Sequence, residues 1–261
     1  MSLHVPARHN EKLQELENAI NQDAELQQFW RSANVNAVDR SGISDHGEVH
    51  IRIVANAALR LLRLLIEAGV TPSIVQDHGL TEEDAELLVV LAAALHDIGI
   101  AVHRTNHEYH SLILAYPKAR QLLSNLYEEP ALTIMVTELL HAIIAHRWDV
   151  RTLTIEAGVL KVADALDMTQ GRSRIPFETG QVNIHSVSAL AVDSVTIEKG
   201  ERRPVRIEIA MNNSAGIFQV DELLRRKLKN STLAPFVEVV AKVEGEAERR
   251  LWEVYQLGQE K

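Results

Sequence analysis

Four of the chain's 12 histidines and one aspartate fall within ALHDIGIAVHRTNHEYHS, Ala94 to Ser111. The chain has no cysteine, which excludes disulfides, thiolate zinc sites and thiol catalysis. Any metal must take nitrogen and oxygen donors from His, Asp or Glu. The adjacent His96 and Asp97 read as part of a metal centre, and the other three histidines of the stretch compete for a further ligand place. His50 lies earlier in the chain, and His46, four residues before it, faces the same way if their helix begins that early. Asp164 sits in the apolar helical stretch VLKVADALDM. There an unpaired carboxylate costs roughly several kcal/mol or is forced to protonate. A bound metal, hydrogen bonds or a cation such as Lys161 would remove that cost. Each histidine alone reads as readily as a hydrogen-bonded core residue; the case rests on the combination.

These side chains need elements to hold them. Leu13, Leu16, Ile20, Leu26 and Trp30 give residues from about Asn10 to Arg31 a helical period. SDHGEVH opens a long helix, with Asp45 as N-cap and Glu48 completing a capping box, that stops near Gly69. Thr81 followed by Glu82, Glu83 and Asp84 starts another. This helix is apolar nearly all round through AELLVVLAAALHD and ends near Gly99, which marks it as the buried central helix. His96 and Asp97 then fall in its last turn, inside the core. Further helices are expected over about Tyr109 to Leu126, Ala131 to His146 and Thr154 to Met168. After Pro176 the texture changes. VNIHSV, SVTIEKGERRPVRIEIAM and FVEVVAKV alternate like strands, with KGERRP as a hairpin loop and VDELLRRKLKN as a helix. The expected fold is mainly α: an all-helical domain over residues 1–178 and a small α/β domain over 179–261, with the boundary near 176–182.

Composition bounds the partners. The 261 residues are 46% apolar and 24% charged, an ordinary globular balance. The net charge of −9 argues against broad nucleic-acid binding. No apolar run has the length of a membrane span, and the N-terminus lacks a signal-peptide pattern, so no membrane partner and a cytoplasmic location are expected.

Three motifs together resemble the HD-domain superfamily of metal-dependent phosphohydrolases. HIRIVA at His50 resembles its first motif, LHDIG at Leu95 to Gly99 its His-Asp doublet, and VADALDM at Val162 to Met168 its final motif. The resemblance covers roughly residues 40 to 170. It implies a helical HD bundle in which His50, His96, Asp97 and Asp164 hold a first divalent ion. Many members hold a second ion with two more histidines. Candidates are His103, His107, His110, His141 and His146; His110, opening HSLILA, resembles the third of the family's histidines and His146, closing HAIIAH, the fourth. His141, about 140° round the helix from His146, is not expected to share an ion with it. His103 and His107 fall in an expected loop, as substrate contacts or solvated side chains.

The implied cofactor is one or two divalent ions among Mn, Fe, Mg, Ni, Co and Zn. The implied chemistry is attack of metal-activated water on phosphorus. Asp97, His110 and Arg172 are the expected catalytic residues. Arg147, Arg172 and Arg174 are expected to fork onto phosphate, unless GRSR is a solvated loop. Asp167 shares the face of Asp164, as a substrate contact or a support behind a ligand. The substrate expected is a nucleotide or another small phosphoester. Two subfamilies fit poorly. HDIGIA lacks the acidic pair of ppGpp hydrolases, and Ile100 stands where the HD-GYP phosphodiesterases carry Lys. The C-terminal domain is expected to cap the helical one, or to form a homodimer through a sheet edge bearing Val205, Ile207 and Ile209. Two other readings remain: a regulatory or binding module with a structural or vestigial metal site, and a di-iron oxygenase on the same scaffold.

Overall fold

The computed structural model describes residues 2–7, 9–169, 188, 190–243 and 255–257. Eight helices lead: α1 (Glu11–Gln22), α2 (Ala24–Asn34), α3 (Glu48–Glu67), α4 (Ser73–His78), α5 (Glu82–Leu95), α6 (His107–Leu123), α7 (Ala131–Ala145) and α8 (Ile155–Ala165). The helical period from about Asn10 to Arg31 is carried by two helices. The Asn10 side chain accepts the Leu13 N–H at 3.0 Å to cap α1, and the Asp23 carboxylate accepts the Leu26 N–H at 2.8 Å to cap α2. An Asp that satisfies the orphan donors of a new helix breaks the old one there.

α5 is the central helix. Thr81 and Asp84 form its capping box, and every residue from Ala85 to Leu95 except the half-buried Glu86 is buried. It packs against α3, α7, α8 and α1. No helix among the described residues is long and apolar enough to cross a membrane.

The C-terminal part is a four-stranded sheet in the order β1 (Val192–Lys199), β2 (Val205–Met211), β3 (Val237–Val243), β4 (Tyr255–Leu257). β1 and β2 form the expected hairpin, with Ile197 opposite Ile207. β2 and β3 run parallel, with Ile207 opposite Val239. A parallel pair needs a crossover. It is supplied by α9 (Ile217–Gln219), a π turn (Val220–Arg225) and α10 (Arg226–Lys229), where VDELLRRKLKN is helical as expected. Val205, Ile207 and Ile209 lie on no edge: β2 is paired on both sides, and all three are fully buried. The sheet's buried side chains join the core of the bundle in one apolar cluster. The expected boundary at 176–182 and the strand VNIHSV lie outside the described residues.

Candidate metal centre

α3 starts at Glu48, later than Asp45, so the expected capping box does not form. Asp45 still caps from outside: its carboxylate accepts the N–H groups of Gly47 at 3.2 Å and His50 at 3.3 Å. His50 therefore sits in the first turn, fully buried. His46 precedes the helix and is held by its backbone N–H on the Asn34 side chain and its Nδ1 against the Ser44 carbonyl.

α5 ends at Leu95, where the Trp30 indole donates to the Ala94 carbonyl at 2.8 Å. His96 caps the helix, and Asp97 turns off into the tight turn Ile98–Ala101. Gly99 in that turn lies under α6, and its N–H donates to the Ser111 hydroxyl at 2.9 Å.

Two groups of side chains face one another across Asp97. In the first, the Nε2 atoms of His50 and His96 are 3.3 Å apart. Both face Asp97 Oδ2, at 3.4 and 3.3 Å, and Asp164 Oδ1, at 3.4 and 3.7 Å. In the second, Asp97 Oδ1 faces His107 Nε2 at 3.0 Å and His146 Nε2 at 3.7 Å. The donor atoms within each of the sets His50, His96, Asp164 and Asp97, His107, His146 lie within 4.8 Å of one another.

The backs of the rings set the direction of the lone pairs. His96 Nδ1 donates to the Ala93 carbonyl at 2.8 Å and His146 Nδ1 to the Ile143 carbonyl at 2.5 Å. Carbonyls only accept, so a neutral ring in this pose presents an Nε2 lone pair inward. His50 Nδ1 meets Asp167 Oδ2 at 2.6 Å, the arrangement that orients metal-binding imidazoles. Asp167 thus lies behind His50.

Lone pairs and carboxylate oxygens packed this closely repel unless a cation lies among them. Asp97 Oδ1 is buried, and the contacts it makes are with the imidazole nitrogens of His107 and His146. The electrostatics agree. Burial opposes ionisation of Asp97, but His96 and His107 hold its carboxyl well below the usual range. For Asp164 burial is outweighed chiefly by the Lys227 ammonium. His96 resists burial and is raised to about 9 by Asp97 and Asp164, whereas burial and the neighbouring His96 and Lys227 push His146 well down. The two ionised carboxylates thus attract positive charge, a proton on His96 or a cation in its place, and nitrogen and oxygen donors in this mixture suit divalent first-row ions.

The expected residues divide accordingly. His50, His96, Asp97 and Asp164 converge, and His146 joins them. His110 does not; its Nδ1 faces the His103 carbonyl at 3.4 Å, and its place is taken by His107. The cause is the start of α6. Helix begins at His107, two residues before the expected start at Tyr109, after Asn106 in the left-handed region (φ 58°). The face turned to the site carries His107, Ser111, Ala115 and Ala119, all buried. That spacing of small residues was present in the sequence and points to the right histidine. His141 accepts the Leu153 N–H, and His103 Nδ1 accepts the Thr105 N–H. Arg147 pairs with Asp149 at 2.6 Å. Arg172 and Arg174 lie outside the described residues. Lys161, the expected partner of Asp164, instead donates to the carbonyls of Arg147 and Val150; the partner is Lys227, on α10.

These positions predict a contrast. His107→Ala is expected to lower the manganese stoichiometry of the protein by one ion, while His110→Ala leaves it unchanged. Equilibrium dialysis with metal analysis measures both; equal loss in the two variants contradicts the placement of α6.

Residues 48–169 match the model of a family described as HD domain. The match spans both groups and Asp167 and ends before Lys227. An uncharacterized protein of Methanocaldococcus jannaschii is 45% identical over 218 residues, which is 84% of this chain and 84% of that protein. The likeness is longer than the family match and so extends beyond the HD region.

Proposed function

This chain belongs to the HD-domain family, and from that premise we propose that it is a metal-dependent phosphohydrolase that cleaves a nucleotide or another small phosphoester with water. The observation that carries the reading is Asp97, whose two oxygens each face a separate histidine group. Divalent ions at the two groups would supply a water nucleophile at neutral pH and neutralise phosphoryl charge. The residues of the chain do the rest. Asp97 belongs to both groups and sets their spacing. Asp164 closes the first, and His107 and His146 the second. Asp167 locks the tautomer and ring angle of His50, and the Ala93 and Ile143 carbonyls do the same for His96 and His146. Arg147 follows His146 directly and, with Arg172 and Arg174, is the proposed source of guanidinium contacts to the substrate.

The test is a phosphate-release screen over nucleotides and small phosphomonoesters and diesters, with manganese, magnesium, nickel and cobalt added in turn. Metal-dependent release of phosphate is expected. Oxygen consumption with an iron-dependent optical signal, and no phosphate release, would assign the di-iron oxygenase reading instead. Neither activity in a protein loaded with metal would assign the centre a structural or regulatory role.

A further inference from the structure

We propose that Lys227, which lies outside the matched HD region, is a substrate-anion residue of the metal centre and favours a terminal, dianionic phosphate; this rests on the phosphohydrolase reading above. Asp164 is shared between two partners. Its Oδ1 faces His50 and His96, and its Oδ2 accepts from the Lys227 ammonium. An ammonium has three donors, and the carboxylate takes one. The Lys227 side chain is 14% exposed, so it reaches the centre without being sealed from solvent.

The delivery of Lys227 is built into the fold. α10 packs against α8, which carries Asp164. The chain that follows is fastened to the segment before α8: the Thr152 N–H donates to the Asn230 carbonyl at 3.1 Å, the Thr232 N–H to the Thr152 hydroxyl at 2.8 Å, and the Thr232 hydroxyl to the Thr154 carbonyl at 2.7 Å. The approach is close enough to need glycine at position 158, where a Cβ would lie 2.3 Å from Thr232 Oγ1 and 2.6 Å from Leu233 Cδ1.

Charge then favours an anion. The buried Asp97 and the partly exposed Asp164 face two ion positions, with the carboxylates of Asp167 and Glu108 behind His50 and His107. With divalent ions in place the two carboxylates that face them are outnumbered, and the Lys227 ammonium adds positive charge on the same side of Asp164. A group that served only to hold Asp164 would need no further positive charge, and it would repel the ion it helped to bind. A dianionic phosphoryl group resolves the repulsion, whereas a diester monoanion resolves less of it.

The experiment uses the full chain as wild type, Lys227→Met, Lys227→Gln and Lys227→Arg. Manganese affinity is read by competition with a chelating dye. The affinities of the manganese-loaded protein for inorganic phosphate and for dimethyl phosphate are read by calorimetry. Lys227→Met and Lys227→Gln are expected to bind manganese at least as tightly as wild type, but to lose about tenfold or more in phosphate affinity, the scale of one charge-assisted hydrogen bond. Lys227→Arg keeps most of the phosphate affinity, and dimethyl phosphate is affected less than inorganic phosphate throughout. The glutamine variant carries the test if the methionine variant does not fold. Unchanged phosphate affinity in either neutral variant overturns the proposal, as does weakened manganese binding that accounts for the phosphate loss. A wild type that holds manganese and ignores phosphate also overturns it. A wild type that binds no manganese removes the underlying phosphohydrolase reading as well.

Discussion

Replacing Asp97 by alanine is expected to abolish phosphate release, a fall of about a thousandfold or more, while the helical content of the protein stays unchanged. The size follows from the position of the carboxylate. Its Oδ2 lies 3.3–3.4 Å from the Nε2 atoms of His96 and His50, and its Oδ1 lies 3.0 Å from that of His107. No other side chain belongs to both groups among the described residues. Removing one member of a unit that works together costs about as much as removing the unit. A thermal measurement separates loss of the ions from loss of the fold. Manganese at about a hundred times its dissociation constant stabilises the folded state by about 2.7 kcal/mol, which for a chain of this size raises the melting temperature by roughly 5–10 °C. The alanine variant should show no such rise. Unchanged turnover, or an undiminished manganese shift, would eliminate the mechanism.

Gly99→Ala is expected to cost about 1–3 kcal/mol of stability, the range for overpacking a tight contact. It should also cost roughly a hundredfold in phosphate release, the scale of a 1 Å misplacement in a catalytic constellation. A Cβ on Gly99 would lie 2.2 Å from the His107 carbonyl oxygen and 2.3 Å from the Ser111 backbone nitrogen. Both atoms are backbone, so no rotamer change relieves the clash and the first turn of α6 must move away. That turn carries His107, and its displacement opens the second group while His50, His96 and Asp164 keep their places. The variant should therefore retain one manganese of two, with a melting temperature lower by several degrees. Two ions at wild-type affinity and an unshifted melting temperature would show that α6 is not seated on Gly99. The same contact explains why the His-Asp doublet is followed here by Ile-Gly: the turn after Asp97 must pass directly beneath a helix backbone.

The first histidine group was legible in the chain because its members lie on strongly patterned helices. α5 is apolar on every face, so its end had to be interior, and His96 and Asp97 went there with it. Asp164 stood out because an ionised carboxylate inside an apolar helix needs a partner. Capping chemistry marked Thr81 as a helix start, and alternation marked the β1–β2 hairpin. Errors arose where two local signals competed. The helical period from Asn10 to Arg31 runs on through Asp23, yet the Asp23 carboxylate satisfies the N–H of Leu26 and starts a second helix there. A start of α6 at Tyr109 puts His107 in the loop before the helix, whereas the helix that forms from His107 carries it in its first turn, toward Asp97.

Long-range features left no mark in any window of residues. Lys227 meets Asp164 across 63 positions, and Asp167 meets His50 across 117. Val205, Ile207 and Ile209 alternate as they would on any half-buried strand, and the pairing with β3 that makes β2 internal comes from a crossover, not from the strand itself. Residue types and their periods thus specify which elements form and which chemistry they carry. The partner of each buried charge, and the histidine that faces the centre, follow from how the helices pack, because burial and close contact belong to the assembled core and not to any one segment.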